Sequence, residues 1–89
     1  MAKSIERLTD RQVKNAKKNL NDGGNLWLLL RRNTKVWAFR YTLNGKAHKA
    51  GLGSYPTISL AEARDTASQY RKWLKSGIDP LDEVRRIEA

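Results

Sequence analysis

The stretch VWAFRYTLNGKAHKAGLG, residues 36–53, decides the fold. Its first half is rich in aromatic and β-branched residues, with an aromatic side chain at every second place from Trp37 to Tyr41. This alternation is typical of a strand with one buried face. Asn44-Gly45 follows, and this dipeptide between two alternating runs is a strong signal for a two-residue hairpin turn. The sequence therefore predicts two antiparallel strands joined at that turn.

The hairpin register divides the side chains between two faces, because side chains alternate along a strand. The predicted cross-strand pairs of the first face are Leu43 with Lys46, Tyr41 with His48, Phe39 with Ala50 and Trp37 with Leu52. The second face carries Val36, Ala38, Arg40, Thr42, Ala47, Lys49 and Gly51. The first face therefore needs an apolar cover, whereas the second is a shallow surface of small residues and positive charge.

A third strand is predicted at residues 26–32, LWLLLRR, which is too short and too apolar for an amphipathic helix. A turn centred on Asn33-Thr34 would place Leu26, Leu28 and Leu30 on the aromatic face. The same turn would place Arg31 and Trp27 on the basic face, where Trp27 either shields Arg40 or packs on an N-terminal helix. The segment NDGG, residues 21–24, has the composition of a turn.

Two capping boxes predict helices on either side of the sheet. Thr9 and Gln12 begin a short helix that is expected to run to Lys17 or Lys18. Ser59 and Glu62 begin a second helix, at about residues 60–76. Its apolar residues recur at helical spacing, and they are Leu60, Ala63, Ala67, Tyr70 and Leu74. This stripe is expected to lie on the aromatic face.

The tail beyond Gly77 has the form of a further helix start, with Asp79 as cap and Pro80 at the first helical position. It is expected to have little to pack on. The predicted fold class is α+β: a three-stranded antiparallel sheet with one face covered by a C-terminal α-helix, plus a short N-terminal helix.

The positive charge of the chain is concentrated in its first part. The net charge is +9; residues 1–54 hold 12 Lys and Arg against 3 Asp and Glu, and residues 55–89 hold 6 of each. A local basic surface of this size favours a phosphate-rich partner. There is no cysteine, so disulfides and thiolate metal sites are excluded, and His48 is the one histidine. No metal, cofactor or small-molecule substrate is expected.

The segment MAKSIERLTD, residues 1–10, lacks the apolar region of a signal peptide. No apolar run reaches the roughly 18 residues of a membrane span. We therefore expect a cytoplasmic protein that makes no membrane contact.

Four stretches resemble the N-terminal arm-type DNA-binding domain of phage and prophage tyrosine recombinases, the integrase family. They are LTDRQVKNAK at 8–17, NDGGNLWLLL at 21–30, WAFRYTLNGKAHKAGLGSYPTISLAEAR at 37–64 and GIDP at 77–80. The resemblance implies that the sheet face enters the major groove of double-stranded DNA at arm-type attachment sites. It also implies a place at the nucleoid of a bacterial host and a role in site-specific integration and recombination.

The resemblance also implies how the chain is divided. Residues 1–76 would form the arm-type DNA-binding domain, and residues 77–89 would begin a linker towards a core-binding and catalytic domain. The nucleophilic Tyr of the family, with its Arg, Lys and His partners, lies on that other domain. No catalytic residue is therefore expected, and the chain is expected to be either a fragment or a short regulatory protein using the same module.

The predicted DNA contacts are Arg31, Arg32, Lys35, Arg40, Thr42, Lys46 and Lys49. A major groove roughly 12 Å wide admits a two-stranded ribbon, and small residues such as Ala38 let the backbone approach it closely. Arg40 suits guanine and Thr42 suits a thymine methyl, whereas charges near the hairpin ends suit phosphates.

Two other functions stay open at this stage. One is a double-stranded RNA-binding module, which reads shape across minor grooves and usually carries basic residues at a helix N-terminus. Glu62 and Asp65 at the start of the long helix argue against that alternative. The other is a protein-interaction adaptor whose basic face meets an acidic partner.

Overall fold

The computed structural model of the chain describes residues 5–88, which form an α+β fold with a four-stranded antiparallel sheet. In chain order the elements are α1 (Asp10–Lys14), β1 (Leu20–Gly23), β2 (Leu26–Arg31), β3 (Thr34–Leu43), β4 (Lys46–Tyr55), α2 (Leu60–Lys75) and α3 (Pro80–Glu88). The strands follow one another in the order β1-β2-β3-β4, so β1 and β4 are the edges of the sheet.

The β3–β4 hairpin has the predicted turn. Asn44 and Gly45 both have positive φ, at 52° and 77°, as the favoured two-residue hairpin turn requires. The predicted pairs are confirmed from Leu43–Lys46 to Phe39–Ala50. The predicted Trp37–Leu52 pair is wrong, because a bulge makes Trp37 pair with Gly53 instead.

Gly53 makes this bulge possible. Its φ is +108°, a conformation that L side chains rarely adopt, and an added Cβ would lie 2.6 Å from the Cγ1 atom of Ile58. The Trp37 ring lies in the same region, and its Nε1 donates a hydrogen bond to the Ile58 carbonyl at 2.8 Å. The bulge therefore lets the chain that leaves β4 pass close over the buried Trp37.

The β2–β3 turn lies one residue before the predicted position. Arg31 pairs with Thr34, so the turn is centred on Arg32-Asn33 rather than Asn33-Thr34. Moving the turn centre by one residue shifts each cross-strand partner by two residues, which leaves the faces unchanged. Leu28 therefore pairs with Trp37, and the two side chains share the aromatic face as predicted.

The prediction of three strands is wrong, because Leu20–Gly23 pairs with β2 as a fourth strand. This segment carries one apolar side chain, Leu20, so it shows no alternating pattern that would predict a strand. Its register is interrupted by a bulge between Asn21 and Gly23, and Asp22 has no partner on β2. Asp22 is instead buried, with 2% of its surface exposed.

Two arginines of α2 hold this β1–β2 hairpin. Arg64 binds both carboxylate oxygens of Asp22, with Nε–Oδ2 and Nη2–Oδ1 distances of 2.9 Å. Arg71, two helical turns further on, donates from Nη1 to the Gly24 carbonyl at 2.8 Å. The same Asp22 carboxylate accepts a hydrogen bond from the Leu8 backbone N–H, while Arg64 also donates to the Leu8 carbonyl. The edge strand, α2 and the segment before α1 therefore meet at one buried ion pair.

A single hydrophobic cluster contains buried residues from the strands and the helices. Its members are Val13, Leu26, Leu28, Trp37, Phe39, Tyr41, Ala50, Leu60, Ala63, Ala67 and Tyr70. Phe39 of β3 and Tyr70 of α2 meet edge to face, with ring centroids 5.3 Å apart. The buried residues of α2 are those of the predicted apolar stripe, apart from Leu74, which is partly buried against the cluster.

Both predicted capping boxes are confirmed. The long helix ends at Lys75, one residue before the predicted position, and closes with two backbone bonds: Gly77 N–H to the Leu74 carbonyl and Ile78 N–H to the Trp73 carbonyl. This is the Schellman arrangement, in which Gly77 with φ of 80° is the residue after the cap. The first helix is shorter than predicted and ends at Lys14.

The tail forms α3, and the expectation that it has little to pack on is wrong. Leu81 and Val84 pack against the hydrophobic cluster, and Pro80 is buried at the first helical position as predicted. Asp79 accepts two hydrogen bonds on Oδ1, from the Leu81 N–H at 3.0 Å and from the Tyr41 hydroxyl at 2.5 Å. The start of α3 is therefore tied to β3. Ala89, the last residue of the predicted linker, lies outside the described residues.

Replacing Arg64 with Ala should destabilise the fold by about 3 kcal/mol, because the buried Asp22 carboxylate would lose its compensating charge. Arg64→Lys should recover part of that loss, since an ammonium group keeps the charge but not the two-pronged geometry. The measurement is the free energy of unfolding in urea at neutral pH. Lys72→Ala, at an exposed position of the same helix, is the control and should change stability by less than about 0.5 kcal/mol. Equal stabilities of Arg64→Ala and the control would contradict this role.

The Tyr41–Asp79 hydrogen bond predicts a loss of stability at alkaline pH. Burial and the bond to Asp79 raise the pKa of the Tyr41 hydroxyl above its ordinary value. A group whose pKa is raised by folding contributes stability below its unfolded pKa, about 10 for Tyr, and that contribution is lost as pH rises further. Tyr41→Phe should therefore flatten the fall in unfolding free energy above pH 10.

At neutral pH the same substitution should cost about 1.5 kcal/mol, because Asp79 loses a hydrogen bond to its charged form. Tyr55→Phe is the matched control, since Tyr55 lies outside this hydrogen bond. Urea unfolding of the three proteins at pH 7 and across pH 9–11 makes the comparison. If the unfolding free energy falls equally steeply above pH 10 in Tyr41→Phe and in the wild type, the assignment is refuted.

Candidate nucleic-acid interface

The face of the sheet opposite the aromatic side chains is called here the open face. By strand alternation it carries Trp27, Leu29 and Arg31 of β2, Thr34, Val36, Ala38, Arg40 and Thr42 of β3, and Ala47, Lys49 and Gly51 of β4. Its β2 half is partly closed, because Leu29 and Ala38 are buried. Apart from Arg31 and Thr34 at the β2–β3 turn, the exposed polar side chains of this face therefore lie in its β3–β4 half.

The structure brings three of the predicted contacts together in that half. Arg40 pairs with Lys49 across the hairpin, Thr42 pairs with Ala47, and all four residues are exposed. They line a shallow depression of about 350 Å³, which His48 borders at the edge. Two cations and a hydroxyl thus lie around the small side chain of Ala47. This arrangement is suited to the edges of bases or to phosphate oxygens.

Arg40 is held both at its backbone and at the guanidinium end of its side chain. Its backbone N–H donates to the Asn25 carbonyl at 2.9 Å, and its carbonyl accepts a hydrogen bond from Asn25 Nδ2 at 2.7 Å. Its guanidinium carbon lies 4.6 Å from the centroid of the Trp27 ring. The alternative in which Trp27 shields Arg40 is therefore confirmed, and Arg40 sits on a defined support.

The remaining predicted contacts lie at the two ends of the hairpins. Arg31 and Arg32 are exposed at the β2–β3 turn, and Lys46 is exposed just after the β3–β4 turn. At about 3.3 Å per residue, β3 separates these two ends by roughly 30 Å. They cannot contribute to one small site, but they can reach separate stretches of a long polyanion.

Lys35 is placed apart from the other candidates. It shares the aromatic face with Trp37, and its Nζ donates to the carbonyls of Val13 at 3.0 Å and Lys14 at 2.5 Å. It also lies 5.7 Å from the centroid of the Tyr55 ring. Lys35 therefore binds carbonyl groups at the end of α1, a structural role that the sequence pattern did not indicate.

Asn25 and Trp27 are the residues that sequence reasoning left out of the candidate set. A weak signal existed for Trp27, since its place in the alternation puts it on the basic face. No sequence signal pointed to Asn25, because its contact with Arg40 depends on a left-handed turn conformation, with φ of 73°. Its two bonds extend the β2–β3 pairing by one step beyond Leu26–Phe39.

The charged side chains of strands β2 to β4 are all positive. Residues 26–55, which span β2 to β4, contain six Lys and Arg and no Asp or Glu. Six of the nine Asp and Glu lie instead on the helices. Asp82 and Glu83 of α3 form ion pairs with Arg85 and Arg86. Asp22 of β1 is paired with Arg64, so the six Lys and Arg of residues 26–55 have no acidic neighbour on their own strands.

Across residues 5–88, no three His, Asp or Glu side chains are grouped as a metal ion would require. Among the helices described there, none has the length and apolar character needed to cross a membrane.

Comparison with known proteins identifies the family. Residues 8–87 match the model of the arm DNA-binding domain. The chain is 40% identical over 65 residues to prophage integrase IntZ of Escherichia coli (strain K12). This aligned stretch covers 72% of the chain and 16% of IntZ. It is also 40% identical over 80 residues to the integrase of Shigella phage Sf6, and this stretch covers 83% of the chain and 21% of that integrase. The chain is 36% identical to prophage integrase IntA of Escherichia coli (strain K12), and the aligned stretch covers 96% of the chain and 22% of IntA.

The chain thus spans about a fifth of the length of these relatives. The match extends from the segment before α1 to the last turn of α3, so it includes every element of the fold. The chain belongs to the arm DNA-binding domain family, and its relatives are phage and prophage integrases.

Proposed function

We propose that this chain binds double-stranded DNA sequence-specifically, as the N-terminal domain of a phage or prophage integrase. The β3–β4 half of the open face enters the major groove of arm-type attachment sites and so supports site-specific integration and recombination in a bacterial host, at the nucleoid. The observation that carries the proposal is the exposed group of Arg40, Thr42 and Lys49, on a sheet whose strands β2 to β4 lack acidic residues.

The dimensions support this mode of binding. A groove roughly 12 Å wide accepts a two-stranded ribbon, and strands lie about 4.8 Å apart. The small side chains of Ala47 and Gly51 let the β4 backbone approach the base edges, while Arg40 reaches further. α2, which shares the hydrophobic cluster, serves as the cover on the opposite face of the sheet.

Phosphate contacts complete the proposal. Arg31 and Arg32 at one end of the hairpins and Lys46 at the other would hold two stretches of backbone and set the register of the sheet in the groove. Lys35 stays a predicted contact, although it would first have to release the α1 carbonyls that it now binds.

We infer that the chain is itself non-catalytic and uses no cofactor. Residues 1–76 would form the DNA-binding unit, and residues 77–89 would begin the connection to the remaining integrase domains, which would carry out strand cleavage. The relatives support the presence of further domains, because they are named integrases and this chain corresponds to about a fifth of their length.

Binding should weaken steeply as salt rises, because phosphate contacts release condensed counterions. With about four to six contacts, the slope of log affinity against log salt should be roughly −3.5 to −5.5. Fluorescence anisotropy with labelled duplex between about 50 and 200 mM salt measures it. Duplex RNA and an acidic protein serve as competitors at matched salt. A flat salt dependence, or preference for either competitor, would rule out the proposed partner.

Arg32→Ala should weaken binding to all duplexes alike and reduce the magnitude of the salt slope by about 1, because it removes one phosphate contact. Lys72→Ala is the matched control, since it removes an exposed charge of the same sign from the helix side. A loss confined to one DNA sequence would place Arg32 at a base instead of a phosphate.

Arg40→Ala should cost about 1–3 kcal/mol on the preferred duplex and much less on random duplex, because a bidentate contact to guanine discriminates between bases. The preferred duplex is obtained by selection from a random library with the 89-residue chain. Lys49→Ala, on the edge strand, should weaken both duplexes more evenly. Circular dichroism checks that both variants fold. If Arg40→Ala binds the selected duplex as tightly as the wild type, the assignment of base reading to this face is wrong.

A further inference from the structure

We propose that Trp27 is a positioning residue for base reading: its indole ring holds the Arg40 guanidinium in the orientation in which it meets the DNA. This inference rests on the proposed function and assigns a specificity role to a residue that does not itself supply a charge. It starts from the 4.6 Å separation between the Arg40 guanidinium carbon and the Trp27 ring centroid, well inside the roughly 6 Å range of cation–π contacts.

The sheet register produces this contact. Trp27 lies directly opposite Ala38, and Arg40 is two residues further along β3 on the same face. Such diagonal neighbours on antiparallel strands are about 7–8 Å apart, which long and aromatic side chains can bridge. The intervening Ala38 is small and buried, so it leaves room for the arginine stem to lie back towards the ring.

The backbone of Arg40 is held independently by Asn25. The two hydrogen bonds between these residues, at 2.9 and 2.7 Å, fix the point from which the side chain starts. Trp27 then acts on the far end of the same side chain. An arginine that is fixed at both ends has little freedom left to lose on binding.

The geometry leaves the recognition chemistry free. The Arg40 guanidinium carbon lies over the Trp27 ring, and a guanidinium stacked on an aromatic face keeps its N–H donors pointing outward in its own plane. Those in-plane donors are the ones that bind guanine O6 and N7 together. Trp27 therefore restricts the side chain without competing for its hydrogen bonds, and preorganisation of this kind raises affinity by lowering the entropy lost on binding.

The alternative roles of Trp27 make different predictions. If it stacks on a base, its loss should weaken binding whether or not Arg40 is present. If it only fills space in the sheet, its loss should lower stability and affect all duplexes equally. A positioning role instead couples Trp27 to Arg40 and to the preferred duplex alone.

The test is a double-mutant cycle in the 89-residue chain with Trp27→Leu, Arg40→Ala and the combined variant, on the selected and the random duplex. We expect Trp27→Leu to weaken binding to the selected duplex about five- to tenfold and to leave random-duplex affinity and the salt slope unchanged. In the Arg40→Ala background, Trp27→Leu should have no further effect. Trp27→Phe should restore most of the selected-duplex affinity, because it keeps an aromatic face under the guanidinium.

Arg40→Lys tests the premise that the planar guanidinium reads the bases. It keeps the charge but loses the planar group, so it should retain random-duplex affinity and lose the preference for the selected duplex. Urea unfolding of each variant identifies any loss that comes from folding alone.

Two failures are distinguishable. If Arg40→Ala loses the selected duplex but Trp27→Leu does not, or if their effects are additive, the positioning role is wrong and the proposed function stands. If Arg40→Ala leaves selected-duplex binding intact, base reading by this face fails, and the role of Trp27 fails with it.

Discussion

The buried ion pair between Asp22 and Arg64 is the contact on which the arrangement of the smaller elements depends. A carboxylate with 2% of its surface exposed is stable only if its charge is compensated and its oxygens are hydrogen-bonded. Arg64 supplies the charge, and the Leu8 N–H supplies a further donor. The hydrogen bond to Asp22 in turn raises the pKa of Arg64 above its ordinary value. The requirement to satisfy this one carboxylate brings α2, β1 and the segment before α1 together.

The two faces of the sheet have different roles. The aromatic face joins the cluster that contains Phe39 and Tyr70, whereas the open face keeps Arg40 and Lys49 exposed. Because neighbouring residues point to opposite faces, Arg40 lies between two core aromatics in sequence without being buried itself. Lys35 shows the converse: a basic residue on the aromatic face donates hydrogen bonds to the carbonyls at the end of α1.

The charge pattern reinforces this division. Asp82 and Glu83 of α3 have arginine partners one turn away, which reduces the negative charge that this helix presents. The Tyr41–Asp79 bond connects the hairpin to the first turn of α3, the element that would lead towards the rest of an integrase. The proposed DNA-reading ribbon and the connection to the other domains are therefore in direct contact through one hydroxyl and one carboxylate.

Local chemistry in the sequence was sufficient for the elements whose signals lie within a few residues. The Asn44-Gly45 turn, both capping boxes, the stop at Gly77 and the two faces of the hairpin all follow from spacing and from residue types with one strong conformational preference. The resemblance in residues 8–80 pointed to the family for the same reason, since its motifs are continuous stretches of chain. The candidate site was predictable to the extent that alternation determines a face, which brought Arg40, Thr42 and Lys49 together.

Only the tertiary structure decided the features that depend on residues far apart in the chain. β1 is a strand because Arg64 and Arg71, more than 40 positions away, bind Asp22 and Gly24. The Trp37–Gly53 register depends on the passage of Ile58 over the sheet, and Lys35 is occupied because the end of α1 lies beside it. The structure also decided between the two predicted roles of Trp27, because its ring centroid lies 4.6 Å from the Arg40 guanidinium carbon. Short-range preferences cannot specify such contacts, because their free energy exists only once the distant partners have been brought together.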